Sequence, residues 1–168
     1  MPKRPTTVRA AVPADTAAIA RIYNQGIDDR CATFETRHRT AADVARWLGG
    51  RYPVVAACEG DEVRAFAATS EYRPRDCYRH IAEFSVYVAR EARGRGLGRL
   101  ALGALVDAAR EAGLGKLVSR VFVDNAASRG LLAHAGFREV GVYHRHGRLD
   151  GTWRDVVIVE RLLDEPEG

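Results

Sequence analysis

Arg93-Gly94-Arg95-Gly96-Leu97-Gly98 separates two segments of opposite periodicity. Before it, residues 81–88 alternate: Ala82, Phe84, Val86 and Val88 share one apolar face, while Ile81, Glu83, Ser85 and Tyr87 share the other. After it, Leu100, Ala101, Ala104, Leu105, Ala108 and Ala112 form the stripe of an amphipathic helix that Gly113 closes. Strand, glycine turn and helix in that order predict an α/β fold. Glycines let backbone N–H groups approach an anion, and the helix start adds partial positive charge, so the turn suits phosphates. A dinucleotide fingerprint needs glycine where Arg99 stands, and no Gly-Lys-Ser/Thr follows to make a P-loop. Taken alone, the turn reads equally well as an ordinary βα connection with solvated arginines.

Upstream, a strand at residues 8–12 leads past Pro13 to Asp15, placed to cap a helix carrying Ile19, Ile22, Tyr23 and Ile27. Thr40 and Asp43 read as the capping box of a second helix with Val44, Trp47 and Leu48, ending at Gly49-Gly50. Strands at 53–58 and 62–68 flank the turn pair Gly60-Asp61. Downstream come a β-branched strand at 117–123 and a short helix at 125–135 ended by Gly136. Two last strands at 137–143 and 153–162 flank an Arg/His/Gly-rich connection. The sum is a mixed α/β sheet of about seven strands flanked by about four helices.

The 168 residues suit one domain, expected over residues 6–163, with polar, proline-bearing ends at 1–5 and 164–168 expected to be flexible. A hydrophobic content of 46% supports a real core and argues against disorder. No apolar run approaches the roughly 18 residues of a membrane span, and no signal peptide follows Met1. A cytoplasmic protein with no membrane partner is expected. Cys31, Cys58 and Cys77 are odd in number and widely spaced, which predicts reduced thiols. Cys77 reads as a lone buried thiol. His38, His80, His144 and His146 lack metal-ligand spacing, so no metal is expected.

In context the turn gains meaning. Arg93-x-x-Gly96-x-Gly98 between strand and helix resembles the acetyl-CoA pyrophosphate loop of the GCN5-related N-acetyltransferase (GNAT) superfamily. Asn125-x-x-Ser128, opening the helix after the next strand, and Ala135-Gly136-Phe137 match a second element of that family. Within it the chain is most similar to the phosphinothricin and methionine sulfoximine N-acetyltransferase group. That likeness rests on Ile22-Tyr23-Asn24, Ala32-Thr33-Phe34-Glu35-Thr36, Arg75-x-x-Tyr78, Glu83-x-Ser85-Val86-Tyr87-Val88 and Gly151-x-Trp153-x-Asp155-Val156. The stretch from Tyr143 to Gly151 is closer to the branch that acetylates arsinothricin.

The resemblance implies a GNAT fold with a mostly antiparallel sheet, acetyl-CoA as co-substrate, a small amino acid as acceptor and a homodimer. It assigns the cofactor to Val86, Tyr87, Val88, Arg93, Gly94, Arg95, Gly96, Leu97, Gly98, Arg99, Asn125 and Ser128. Asn125 also reads as a plain N-cap, and the two roles are compatible. Glu83 is the expected general base; the bland alternative is an edge Glu paired with Arg79 or another arginine. Arg73 and Arg75, with Tyr78, are placed to fork an acceptor oxyanion, and Phe34 to cover its methylenes, although an aromatic there also reads as core. The family's acid position, four residues after the Ser of Asn-x-x-Ser, is Leu132 here, so protonation of the leaving thiolate falls to water or Tyr143. His134 lies about 200° around the helix from that position.

Two other readings compete. A net charge of +4, with arginines at 90, 93, 95 and 99, also fits a nucleic-acid module. Polyanionic CoA accounts for the same arginines and no aromatic repeat accompanies them, so no nucleic-acid partner is expected. A GNAT acting on a protein N-terminus or polyamine calls for an acidic groove, against which Arg73 and Arg75 argue.

Overall fold

The computed structural model describes residues 2–163. Met1 and residues 164–168, expected to be flexible, lie outside it. The chain runs β1 (Thr6–Ala10), α1 (Thr16–Asp28), α2 (Ala41–Ala45), β2 (Val54–Glu59), β3 (Glu62–Glu71), β4 (Ile81–Val88), α3 (Leu97–Glu111), β5 (Lys116–Phe122), α4 (Ala126–His134), β6 (Arg138–Leu149) and β7 (Thr152–Leu162). Pro5 and Arg4, expected to be loose, instead touch the β2–β3 turn: the Pro5 carbonyl accepts the Gly60 N–H at 3.0 Å, and Arg4 stands 3.6 Å from Glu62.

One seven-stranded sheet has the order β1-β2-β3-β4-β5-β7-β6. Every neighbouring pair is antiparallel except β4 with β5, which α3 joins by a crossover. Helices α3 and α1 cover opposite faces, and a glycine sets each approach. A Cβ on Gly98 of α3 would stand 3.1 Å from Val88, and one on Gly26 of α1 only 2.6 Å from the Tyr87 ring. Tyr87 is held there, stacked on Phe66 with centroids 5.5 Å apart and edge-on to Tyr23 at 5.1 Å. Burial pushes its hydroxyl pKa far above the usual range.

The buried face of α3 is Leu97, Ala101, Leu102, Leu105, Val106 and Ala109, while Leu100 and Ala112 of the expected stripe face solvent. Alanine fits a helix surface as well as a core, so an Ala-rich stripe leaves the rotational phase open by about one residue. The docking of Leu97 and Gly98 on β4 selects it. The connection before β7 also departs from expectation. It is strand, with β6 running to Leu149 and turning through Asp150 (φ 49°) and Gly151 (φ 78°), the left-handed pair of a tight hairpin. Asp155 secures the β6 irregularity at Arg145 (φ 48°), accepting the Arg145 N–H at 2.8 Å and facing His144 at 3.0 Å.

The Thr40–Asp43 capping box forms as predicted, with Asp43 N–H on Thr40 Oγ1 at 3.2 Å and Thr40 N–H on the Asp43 carboxylate at 2.9 Å. The helix stops at Ala45, and Trp47 and Leu48 pack on the core from the turns beyond. Asp15 differs from its expected role. A 3₁₀ turn at Pro13–Asp15 leads into α1, and the buried carboxylate accepts the Val12 N–H at 2.8 Å and a fork from Arg9 at 2.6 and 3.0 Å. The Arg9 hydrogen bond outweighs burial and lowers the Asp15 pKa.

A carboxyl group whose folded pKa lies below its unfolded value adds stability above the unfolded pKa, near 4, and loses it as pH falls through the folded one. Asp15→Asn is therefore expected to cost about 1–2 kcal/mol at pH 7, discounted for the half-exposed Arg9. Thermal melts should show the deficit at pH 7 and a smaller one at pH 2. A deficit equal at both would assign Asp15 a role other than its charge.

Candidate active site

Strands β4 and β5 pair only over Ile81–Glu83 with Lys116–Val118, and then part. Ser119 Oγ donates to the Phe84 carbonyl at 2.9 Å where the gap begins. The parity of the antiparallel β3–β4 ladder tells which main-chain groups face it. The Ala89 N–H bonds the Arg64 carbonyl, so Tyr87, Ser85 and Glu83 also direct their main-chain groups at β3, whereas Phe84, Val86 and Val88 direct theirs at the gap. Val86 and Val88 thus present strand edge where a ligand can add like a further strand.

A cavity of about 510 Å³ fills this fork. From β4 it takes Glu83, Ser85 and Val86, from β5 Ser119 and Arg120, and Phe34 closes one side. Phe34 meets Phe122 edge-on at 4.8 Å, so its core reading and its site reading both hold. Its loop is pinned at both ends. Asn24 clamps Arg39 through paired main-chain hydrogen bonds of 2.9 and 2.8 Å, and Asn125 Nδ2 donates to the Cys31 carbonyl at 3.1 Å. Asn125 Oδ1 accepts the Ser128 N–H at 3.1 Å, so the N-cap reading is met while both residues line the cavity.

Beyond the end of β4 lies the glycine turn. Gly94 (φ 76°) and Gly96 (φ 80°) hold left-handed conformations that favour glycine, and a Cβ on either would meet no heavy atom within 4 Å. Gly96 precedes the first residue of α3, whose opening N–H groups lack partners in the helix. The neighbouring arginines are largely spent on acids. Arg90 and Arg93 each reach Asp29 at 2.7 Å, and Arg95 reaches Glu59 at 3.0 Å. Burial opposes the Asp29 charge, but the hydrogen bonds from Arg90 and Arg93 prevail and lower its pKa. Leu97 is buried and Arg99 exposed.

Tyr87 lines the cavity with its ring on the α1 face, opposite Val86 and Val88, and its main chain turned to β3. Several other expected residues stand elsewhere. Arg73, Arg75 and Tyr78 lie outside the cavity wall, on the β3–β4 connection that continues beyond the pair Ser70 and Glu83, both of which line it. Arg75 stands 5.9 Å over the Tyr78 ring and Arg73 5.1 Å over Tyr72. Cys77 is exposed rather than buried, on a 3₁₀ turn of that connection none of whose residues is buried. Tyr143 is exposed on β6, outside the wall, and His134 bonds back to the Gly130 carbonyl of its own helix at 2.7 Å. Leu132 lines the cavity as an apolar wall.

Glu83 is not alone in the fork. Arg120 Nη2 donates to Glu83 Oε1 at 2.6 Å, and Arg120 Nη1 stands 3.4 Å from His146 Nε2. Sequence reasoning allowed Glu83 an arginine partner but named Arg79, not Arg120. Glu83 lies opposite Val118 and Arg120 two residues further on the same face, a juxtaposition that depends on the parallel register across a long crossover, which local sequence does not encode.

Comparison with known proteins identifies the family and the fold. The chain is 37% identical over 164 residues to an L-methionine sulfoximine/L-methionine sulfone acetyltransferase of Salmonella typhimurium, covering 95% of each chain. It is 34% identical to a phosphinothricin N-acetyltransferase of Streptomyces coelicolor, covering 93% of this chain and 95% of the relative. Its fold superposes with a TM-score of 0.90, at 33% identity and over 97% of this chain and 96% of the other, on a structure of yncA from Salmonella typhimurium, described as a putative acetyltransferase with its cofactor acetyl-CoA. The model of the acetyltransferase (GNAT) family matches residues 20–137, and the chain belongs to that family of N-acetyltransferases.

Proposed function

We propose that this N-acetyltransferase moves the acetyl group of acetyl-CoA to the α-amine of a small glutamate-like amino acid of the phosphinothricin, arsinothricin or methionine sulfoximine type, as a detoxification or resistance enzyme. The observation that carries the reading is the fork between β4 and β5, with Glu83 in its wall and a glycine turn beyond its end. The relatives named for phosphinothricin and methionine sulfoximine support the acceptor class.

In this reading the N–H groups from Gly94 to Arg99 hold the pyrophosphate, where the open space at Gly94 and Gly96 fits a bulky anion. Val86 and Val88 hold the pantetheine arm along the strand edge, with Asn125 and Ser128 at its far side. Glu83, directly or through one water, takes the ammonium proton. The neutral amine attacks the thioester carbon, strand N–H groups steady the oxyanion, the nitrogen gives its second proton to water, and the C–S bond breaks to release CoA thiolate, which takes a proton from water. Leu132 offers no proton at the family's usual position. The reading includes a homodimer, for which exposed Val140, Val142 and Tyr143 on the edge strand β6 supply apolar surface. Gel filtration tests that part. A panel of the three acceptors with acetyl-CoA, followed by free-thiol release, tests the activity; no turnover of any amino acid would overturn the reading.

Gly96→Val tests the loop. A Cβ there meets no protein atom, so the substitution strains only the turn and takes space from the diphosphate. Acetyl-CoA Kd is expected to rise about tenfold or more, since a charge-assisted contact is worth roughly 1.5–3 kcal/mol. Gly113→Val carries the same backbone strain at φ 81° beyond the opposite end of α3 and should leave Kd unchanged. Equal Kd in both variants would remove the loop's assignment.

A further inference from the structure

We propose that Arg120 reads the acceptor's α-carboxylate, so that Glu83 and Arg120 together form a receptor for the zwitterionic end of an α-amino acid. The inference rests on the acceptor class proposed above and adds a residue that the family motifs quoted earlier do not contain.

Among the described residues Arg120 is the one cationic side chain in the cavity wall, whose other charged members, Glu35 and Glu83, are acids. Glu35 is paired with Arg39 at 2.9 Å, away from Arg120. Arg120 and Glu83 meet at 2.6 Å with side chains 45% and 33% exposed, so each can exchange its partner for a solute. A guanidinium carries five donors in a planar fork. Arg120 directs one nitrogen to Glu83 and another to the long contact with His146, which leaves donors for a carboxylate.

The spacing matches the solute. In an α-amino acid the nitrogen and the nearer carboxylate oxygen are about 3 Å apart by covalent geometry. An ammonium that gives its proton to Glu83 therefore brings its own carboxylate to Arg120. One internal ion pair is replaced by two external ones of the same sign pattern, so binding leaves no charge unpaired in the cavity. Arg73 and Arg75, on the connection beyond Ser70 and Glu83, remain for an oxyanion at the far end of the acceptor's side chain. Two separated cationic positions then measure an extended, glutamate-like acceptor.

The test compares an accepted amino acid with its α-carboxamide, which keeps the amine and side chain but loses the carboxylate. Wild-type enzyme should favour the acid in kcat/KM by about tenfold to a hundredfold, and Arg120→Gln should bring the ratio near one. Most of the change should fall on acceptor KM, and Arg120→Lys should restore part of the preference through charge without the fork. Acetyl-CoA binding measured by calorimetry verifies that each variant is folded. If Arg120→Gln lowers turnover of acid and amide by the same factor, Arg120 only positions Glu83 and the proposal falls. A wild-type enzyme without preference for the acid overturns it as well. Failure to acetylate either compound, or any other amino acid, would instead strike the acceptor class itself.

Discussion

Glu83→Gln is expected to lower kcat by about 10² or more at pH 7 with acetyl-CoA affinity retained. Acetyl transfer needs a neutral amine, and an α-amine with a pKa near 8 or above is mostly protonated at neutral pH. Glutamine keeps the shape of the side chain and an oxygen that can still accept from Arg120, so the ion pair's geometry is largely preserved while the basic group is lost. The defect therefore reports proton removal rather than a collapsed wall. It should shrink as pH rises past the acceptor's amine pKa, because the solvent then supplies the free amine. A pH–rate profile of both enzymes checks this. Wild-type kcat at pH 7 in the variant would defeat Glu83 as base, and a deficit that stays constant to high pH would point to a positioning role.

Arg75→Ala is expected to raise acceptor KM by about tenfold to a hundredfold, the loss of a charge-assisted bidentate contact worth roughly 1.5–3 kcal/mol. Arg75 is exposed on the connection beyond Ser70 and Glu83, and it covers the Tyr78 ring rather than pairing with an acid. Its fork is thus available to an oxyanion that extends out of the cavity. Acetyl-CoA KM should stay nearly constant, since the glycine turn lies past the other end of β4. Should both constants rise together, Arg75 serves the cofactor or the fold. The effect should be larger for acceptors with a charged side-chain terminus than for methionine sulfone, whose terminus is neutral.

Much of the architecture was legible in the sequence because its determinants are local. Period-two alternation in residues 81–88 identified β4 and the two faces it presents, and Gly60-Asp61 announced the β2–β3 hairpin. The Thr40–Asp43 box needs only its own four residues to form. The glycine turn was visible for the same reason, since Gly94 and Gly96 occupy left-handed conformations that side chains avoid, whatever surrounds them.

Tertiary structure decided what depends on how elements meet. An Ala-rich α3 is compatible with neighbouring rotational phases, and only contact with β4 buried Leu102 and Val106 in place of Leu100 and Ala112. Asp15 was legible as a cap, but the approach of Arg9 from β1 made it the buried member of an ion pair. The site follows the same rule. Glu83 could be named from its strand face, but β4 and β5 pair across a helical crossover whose register no short motif specifies. That register sets the point where the strands part and places Arg120 against Glu83. Alternation along one strand is a property of its backbone geometry, whereas the group facing it from the next strand is set by the packing of the whole sheet.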